Sequence, residues 1–150
     1  MTGPLKPVIP PLAQRYCRSK DDETDMIKSL DHLVLTTGDV AKCIDFYTRG
    51  LGMKLETFGQ GRKALRFGEQ KINLHDKSTV TDGYAAYPTP GSLDICFLAD
   101  RPLDEVIAQL RAANIPIELG PVQRTGARFP LRSVYVRDPD RNLIEISEPA

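Results

Sequence analysis

From residue 30 onward the apolar positions recur with two periods in turn, near two and near 3.6, as strands and helices require. LDHLVLTT (30–37) alternates as a strand. Gly38 and Asp39 precede VAKCIDFYTRGL, in which Val40, Cys43, Ile44, Tyr47 and Leu51 form one helical stripe and Gly52 supplies the stop. MKLETF (53–58), RKALRF (62–67) and KINLH (71–75) read as three more strands. A loop over 77–91 follows, punctuated by Gly83, Pro88, Pro90 and Gly91. The order then starts again with SLDICFLAD (92–100) as a strand. PLDEVIAQLRAA (102–113) follows as a helix, with Pro102 early and Leu103, Val106, Ile107 and Leu110 on one face. IPIEL, RSVYVR and NLIEIS supply the remaining strands, with GPVQRTGARFP (120–130) as a long loop. The pattern predicts βαβββ twice over: an α+β fold of two paired modules forming a curved mixed sheet around a cavity.

The two halves can be laid over each other. A shift of 62 pairs His32 with Asp94 and sets LVLTT over ICFLA and GMKLE over NIPIE. A shift of 70 sets RKALRFGEQKINLH (62–75) over RSVYVRDPDRNLIE (132–145), pairing His75 with Glu145. Sliding the last strand by two residues would pair Asn73 with Glu145 instead, on the same face.

The first 27 residues fall outside this rhythm. Pro4, Pro7, Pro10 and Pro11 bar a helix or central strand, and the charged run KDDETD follows. They read as a flexible tail ahead of a single domain over 28–150. The prolines also argue against the amphipathic helix of a transit peptide. Lys+Arg and Asp+Glu both number 20, which gives no reason to expect nucleic acid or membrane as a partner. Three cysteines, Cys17, Cys43 and Cys96, without a C-x-x-C spacing suit a reducing, cytoplasmic setting.

With only two histidines in the chain, their placement carries weight. His32, His75, Asp94 and Glu145 would converge from the first, fourth, fifth and eighth strands on the concave face. Two imidazoles and two carboxylates suit a divalent first-row ion (Zn, Ni, Mn, Co or Fe) with a position open for substrate. Each residue alone has a plainer reading, as a hydrogen-bonded core histidine or a solvated carboxylate. The symmetric set points to metal. Glu145 or Asp94 would serve as the base. Arg62, Arg66 and Arg132 alternate along strands and Arg124 lies in the long loop; a cavity facing them would take a small anionic substrate. Cys96 shares a face with Asp94 and reads as a small core residue.

FYTRGLGM (46–53), RKALRFG, QKINLH, PGSLDICF, GPVQRTGA and RDPDRNLIEIS (137–147), with the doubled βαβββ, resemble the vicinal oxygen chelate superfamily and its virulence-associated glyoxalase-like members. The resemblance spans about residues 28–148. It implies metal ligands at His32 and Glu145, at Asp94 where glyoxalases and dioxygenases generally have histidine, and at Asn73 or His75 where glyoxalase I has glutamate. It also implies a homodimer. The chemistries it allows are a glyoxalase-like lyase or isomerase on a thiol-conjugated substrate, an extradiol dioxygenase, a thiol transferase, or non-catalytic binding of a small molecule.

Overall fold

Alternation of apolar and polar residues gives each strand one wet and one dry face, and the dry faces determine how the halves assemble. The computed structural model describes residues 26–79 and 84–150; all but the last two residues of the expected tail lie outside them. The first half comprises β1 (His32–Thr37), α1 (Val40–Asp45), β2 (Lys54–Phe58), β3 (Arg62–Phe67) and β4 (Gln70–Asp76). The second comprises β5 (Asp94–Leu98), α2 (Leu103–Ala112), β6 (Leu119–Thr125), β7 (Pro130–Arg137) and β8 (Leu143–Pro149). Each half is a four-stranded mixed sheet, in the orders β1-β4-β3-β2 and β5-β8-β7-β6. β1 runs parallel to β4 and β5 to β8; the other pairs are antiparallel. The α+β architecture agrees with the sequence pattern, except that two curved sheets stand where one was expected.

α1 starts where the Asp39 carboxylate caps the Lys42 amide at 3.0 Å. A widened π-helical turn, Phe46–Gly50, continues it, and Gly52 ends it with φ of +73°. Gly50 is required by packing: a Cβ there would fall 2.3 Å from Ile115 Cδ1. α2 buries Leu103, Ile107 and Leu110. Among the described residues no helix is long and apolar enough to cross a membrane.

One apolar cluster serves both halves. Leu35, Tyr47, Leu65, Ile72 and Leu74 of the first join Leu103, Leu110, Val134, Val136 and Ile144 of the second, and Phe67 meets Phe97 edge-on at 5.2 Å. The helix-side face of each sheet therefore points inward, and the opposite faces point outward.

A turn rich in polar groups fastens the seam. Asp138, buried, accepts from the Tyr47 hydroxyl (2.9 Å), the Asn142 amide side chain (2.8 Å) and the Asp140 and Asn142 backbone amides. Asn142 in turn receives the Leu93 amide at 2.8 Å, just before β5, and Asp140 receives the Gly38 amide at 2.9 Å, just after β1. The turn from β7 to β8 thus fixes the approach to β5 and the exit of β1, two strands that carry candidate site residues.

The sequence reading misplaced β6. Ile115 and Ile117 pack into or against the core, and the strand runs through GPVQRT instead. Gly120 and Pro121 look like breakers, but β6 is an edge strand whose register shifts between Leu119 and Val122. A proline is tolerated at such a bulge because it faces no partner on its outer side.

Candidate functional site

Cross-strand pairing assigns every side chain to a face, because paired residues project to the same side. On the outward face of the first sheet the middle row reads Val34, Asn73, Ala64 and Glu56. The row before it reads His32, Lys71, Arg66 and Lys54. Thr36 and His75 follow on the far side, with Phe58 opposite Arg62. Asn73 is only 6% exposed although it sits on the outward face, beside the fully buried Ala64. Among the described residues its Oδ1 has no hydrogen-bond partner, and neither does Nδ1 of His75. Burial, helped by the charge of Arg62, holds the His75 imidazole below its ordinary pKa. Its ring meets Tyr84 edge-on at 4.2 Å. His32 is exposed and its Nδ1 pairs with Asp31 at 2.7 Å.

The corresponding face of the second sheet carries Asp94, Cys96 and Leu98 of β5, and Glu145 and Ser147 of β8. Ser133 and Tyr135 of β7 and Arg124 of β6 complete it. Here the polar groups satisfy one another. Ser147 donates to Glu145 at 3.2 Å and lies 2.8 Å from the Ser133 hydroxyl and 3.4 Å from the Cys96 sulfur. Arg124 donates to the Tyr135 hydroxyl at 2.8 Å. Burial raises the pKa of Tyr135, with Arg124 opposing and Glu145 reinforcing that shift. Burial also raises the Cys96 thiol, although Cys96 is exposed rather than a core residue as the sequence suggested.

The ladders correct the repeat. Val34 lies beside Asn73 in the first sheet and Cys96 beside Glu145 in the second. Since Val34 and Cys96 are equivalent by the shift of 62, Asn73 is the counterpart of Glu145 and His75 that of Ser147. The ungapped shift of 70 is already one residue short at the third strand, where Ala64 corresponds to Tyr135, and the longer β7–β8 turn adds the second residue. His75 keeps its place on the face, two residues further along β4.

His32, Asn73 and His75 thus share one outward face, and Asp94 and Glu145 the other. The expected convergence of all four metal candidates within one chain is not found. Among the described residues no three His, Cys, Asp or Glu side chains gather at metal-binding range, because the shared core turns the two faces outward on separate sheets. Arg62 and Arg66 lie on the first face and Arg124 on the second, on a strand rather than in a loop. Arg132 does not reach either: it projects to the helix side, bound to Glu148 and Asp104 at 2.9 Å each. Sequence reasoning missed Lys71, Tyr135 and Ser147, which strand parity alone could have put beside the named residues.

The sequence profile of the Glyoxalase/Bleomycin resistance protein/Dioxygenase superfamily matches residues 29–146. The chain is 54% identical over 121 residues to the glyoxalase domain-containing protein RDO1 of Mycosarcoma maydis, covering 81% of this chain and 68% of the relative. It is 50% identical to virulence protein STM3117 of Salmonella typhimurium over 82% of this chain and 85% of that one. The crystal structure of STM3117 superposes with a TM-score of 0.81, covering 84% of this chain and 100% of that one. A lactoylglutathione lyase from Agrobacterium tumefaciens superposes at 0.62 with 25% identity, over 81% and 94% of the two chains.

Proposed function

Because the chain belongs to the Glyoxalase/Bleomycin resistance protein/Dioxygenase superfamily, we propose that it is a metal-dependent, glyoxalase-like lyase or isomerase acting in the cytoplasm on a small anionic or thiol-conjugated molecule. The observation that carries this reading is the pair of equivalent half-sites. His32 with Asn73 occupies one outward face, and Asp94 with Glu145 occupies the same positions on the other.

The donor chemistry fits a first-row divalent ion: an imidazole, two carboxylates, and either the unpartnered Asn73 Oδ1 or the unpartnered His75 Nδ1. His32, Asp94, Glu145 and one of those two would hold it. A bound ion supplies Lewis acidity toward substrate oxygens that gain negative charge when a neighbouring carbon loses its proton. Glu145, or Asp94 released from the ion, would take that proton, with Ser147 steadying one oxygen of Glu145. Tyr135 keeps its proton and stands as a donor beside Glu145. Arg124, held against it, addresses an anionic group on the substrate.

Two outward half-sites make a full set only if two protomers share it. In the proposed homodimer the first sheet of one protomer faces the second sheet of its partner. The exposed Val34 (41%), Leu98 (51%) and Leu119 (47%) lie on those faces and would be covered. Metal analysis of purified protein tests this reading. His32→Ala and Glu145→Ala should each lose stoichiometric metal, while refolding the two variants together should restore about a quarter of the wild-type sites. No metal under any loading condition, or no restoration on mixing, would count against the enzyme or the shared site respectively. The amide at the fourth-strand position favours one other reading, non-catalytic binding of a small molecule, and the metal-free outcome would select it.

A further inference from the structure

We infer that the outward face of the first sheet recognises a compact dianion, a dicarboxylate or a phosphate monoester, through Lys71 and Arg62 held over Phe58. The chain as a whole is neutral, yet this face carries Lys54, Arg62, Arg66 and Lys71 against two carboxylates, Glu56 and, paired to His32 at its edge, Asp31. Glu56 is already shared: Arg66 lies 3.1 Å from one of its oxygens and Lys71 3.9 Å from the other. Arg62 has no carboxylate partner among the described residues.

Packing brings two of these charges to one aromatic ring. The Lys71 ammonium stands 4.0 Å, and the Arg62 guanidinium 4.4 Å, from the centroid of the same Phe58 ring. The ring attracts both, but each raises the potential felt by the other, and a ligand with two negative groups relieves that repulsion where one with a single charge relieves half of it. The position also bears on the candidate chemistry. Lys71 follows His32 across the sheet and precedes Asn73 by two residues on the same face. Arg62 and His75 each continue one step beyond the Lys63–Leu74 pair and so share a row of this face. An anion anchored here therefore presents the rest of its frame to Asn73, whose carbonyl has no partner among the described residues. The second sheet offers no such excess: Arg137 there is tied to Glu118 through both carboxylate oxygens, and Asp94 and Glu145 offset the charge of Arg124.

This inference rests on the reading of the outward face as the ligand face and not on the metal, so the test uses full-length protein stripped with chelator. Calorimetric titration compares succinate, inorganic phosphate and butyrate. At least one dianion should bind about tenfold or more tightly than butyrate, and weaken as salt is raised. Binding of succinate but not phosphate would assign the ligand as a dicarboxylate, and the reverse a phosphate ester. Lys71→Met and Arg62→Met keep an apolar stem over Phe58 and should each lower that affinity about tenfold, one of two charge-assisted contacts being lost. Glu56→Gln removes the competing acid and should tighten dianion binding. The metal content of loaded protein should not change in any of the three. Equal affinity for succinate and butyrate, no dianion binding, or affinities unmoved by all three substitutions would overturn the inference. Dianion binding that persists in a protein unable to hold metal would uphold it while removing the proposed enzyme.

Discussion

The two outward faces share a backbone plan and differ in how their polar groups are spent. On the second sheet Ser133, Ser147, Glu145 and Cys96 form a connected set, and Arg124 is anchored on Tyr135. On the first, the enclosed carbonyl of Asn73 and the Nδ1 of His75 have no partner among the described residues, and cations outnumber acids. A buried polar atom left alone weakens a fold, so the proposed ligand would relieve a cost that the first face carries and the second does not.

The largest way to break the comparison is at the seam, where only the second half has an elaborated turn. Asp138→Ala would strand the Tyr47 hydroxyl and two backbone amides, and urea unfolding should show a loss of about 3 kcal/mol. Ser147→Ala should cost about 1–2 kcal/mol, because Glu145, Cys96 and Ser133 all lose a neighbour. The opposite face should respond differently. Asn73→Ala removes an unpartnered carbonyl and should leave metal-free stability within about 1 kcal/mol of the parent. It should also lower metal affinity if Asn73 is the fourth-strand donor; a matched His75→Gln variant, assayed for metal retention, decides between the two.

The smallest effect sharpens the division between arginines. The Leu103 amide and Arg132 hold the Glu148 carboxyl below its ordinary range. A carboxylate whose folded pKa is depressed stabilises the fold above its unfolded value, and that contribution fades as pH falls through the acid range. Arg132→Met should therefore lower the thermal midpoint slightly at neutral pH, and the gap should close in acid. Ligand binding should be unchanged, whereas Arg124→Met should leave the midpoint alone and weaken binding of an anionic substrate.

Period and parity made most of this legible in the chain. The alternation in RKALRF and the stripe through Val40, Cys43, Ile44 and Tyr47 placed strands and helices within a residue or two. β6 escaped because Gly120 and Pro121 signal a break in any strand except an exposed edge with a bulge. The site was half legible. Parity grouped His32 with both β4 candidates on one face and Asp94 with Glu145 on another, where the structure has them. The repeat register failed because an ungapped overlay cannot see that one hairpin turn is longer, and a slip of one residue put Arg132 on the wrong side. Convergence of the four candidates could not be read at all. It depends on which face of each sheet the shared core covers, and that is a property of the assembly of the halves rather than of either half's pattern.

The hydrogen bond from Tyr47 to Asp138 also bears on how this protein unfolds. It joins the helix of one repeat to a turn of the other, beneath an apolar cluster to which both repeats contribute. Sequence duplication ordinarily suggests two foldons that could open one at a time. Here neither repeat can expose itself without stranding the other's polar groups, so the pair should melt in one transition, with calorimetric and van't Hoff enthalpies equal. The two repeats are built as a single cooperative body.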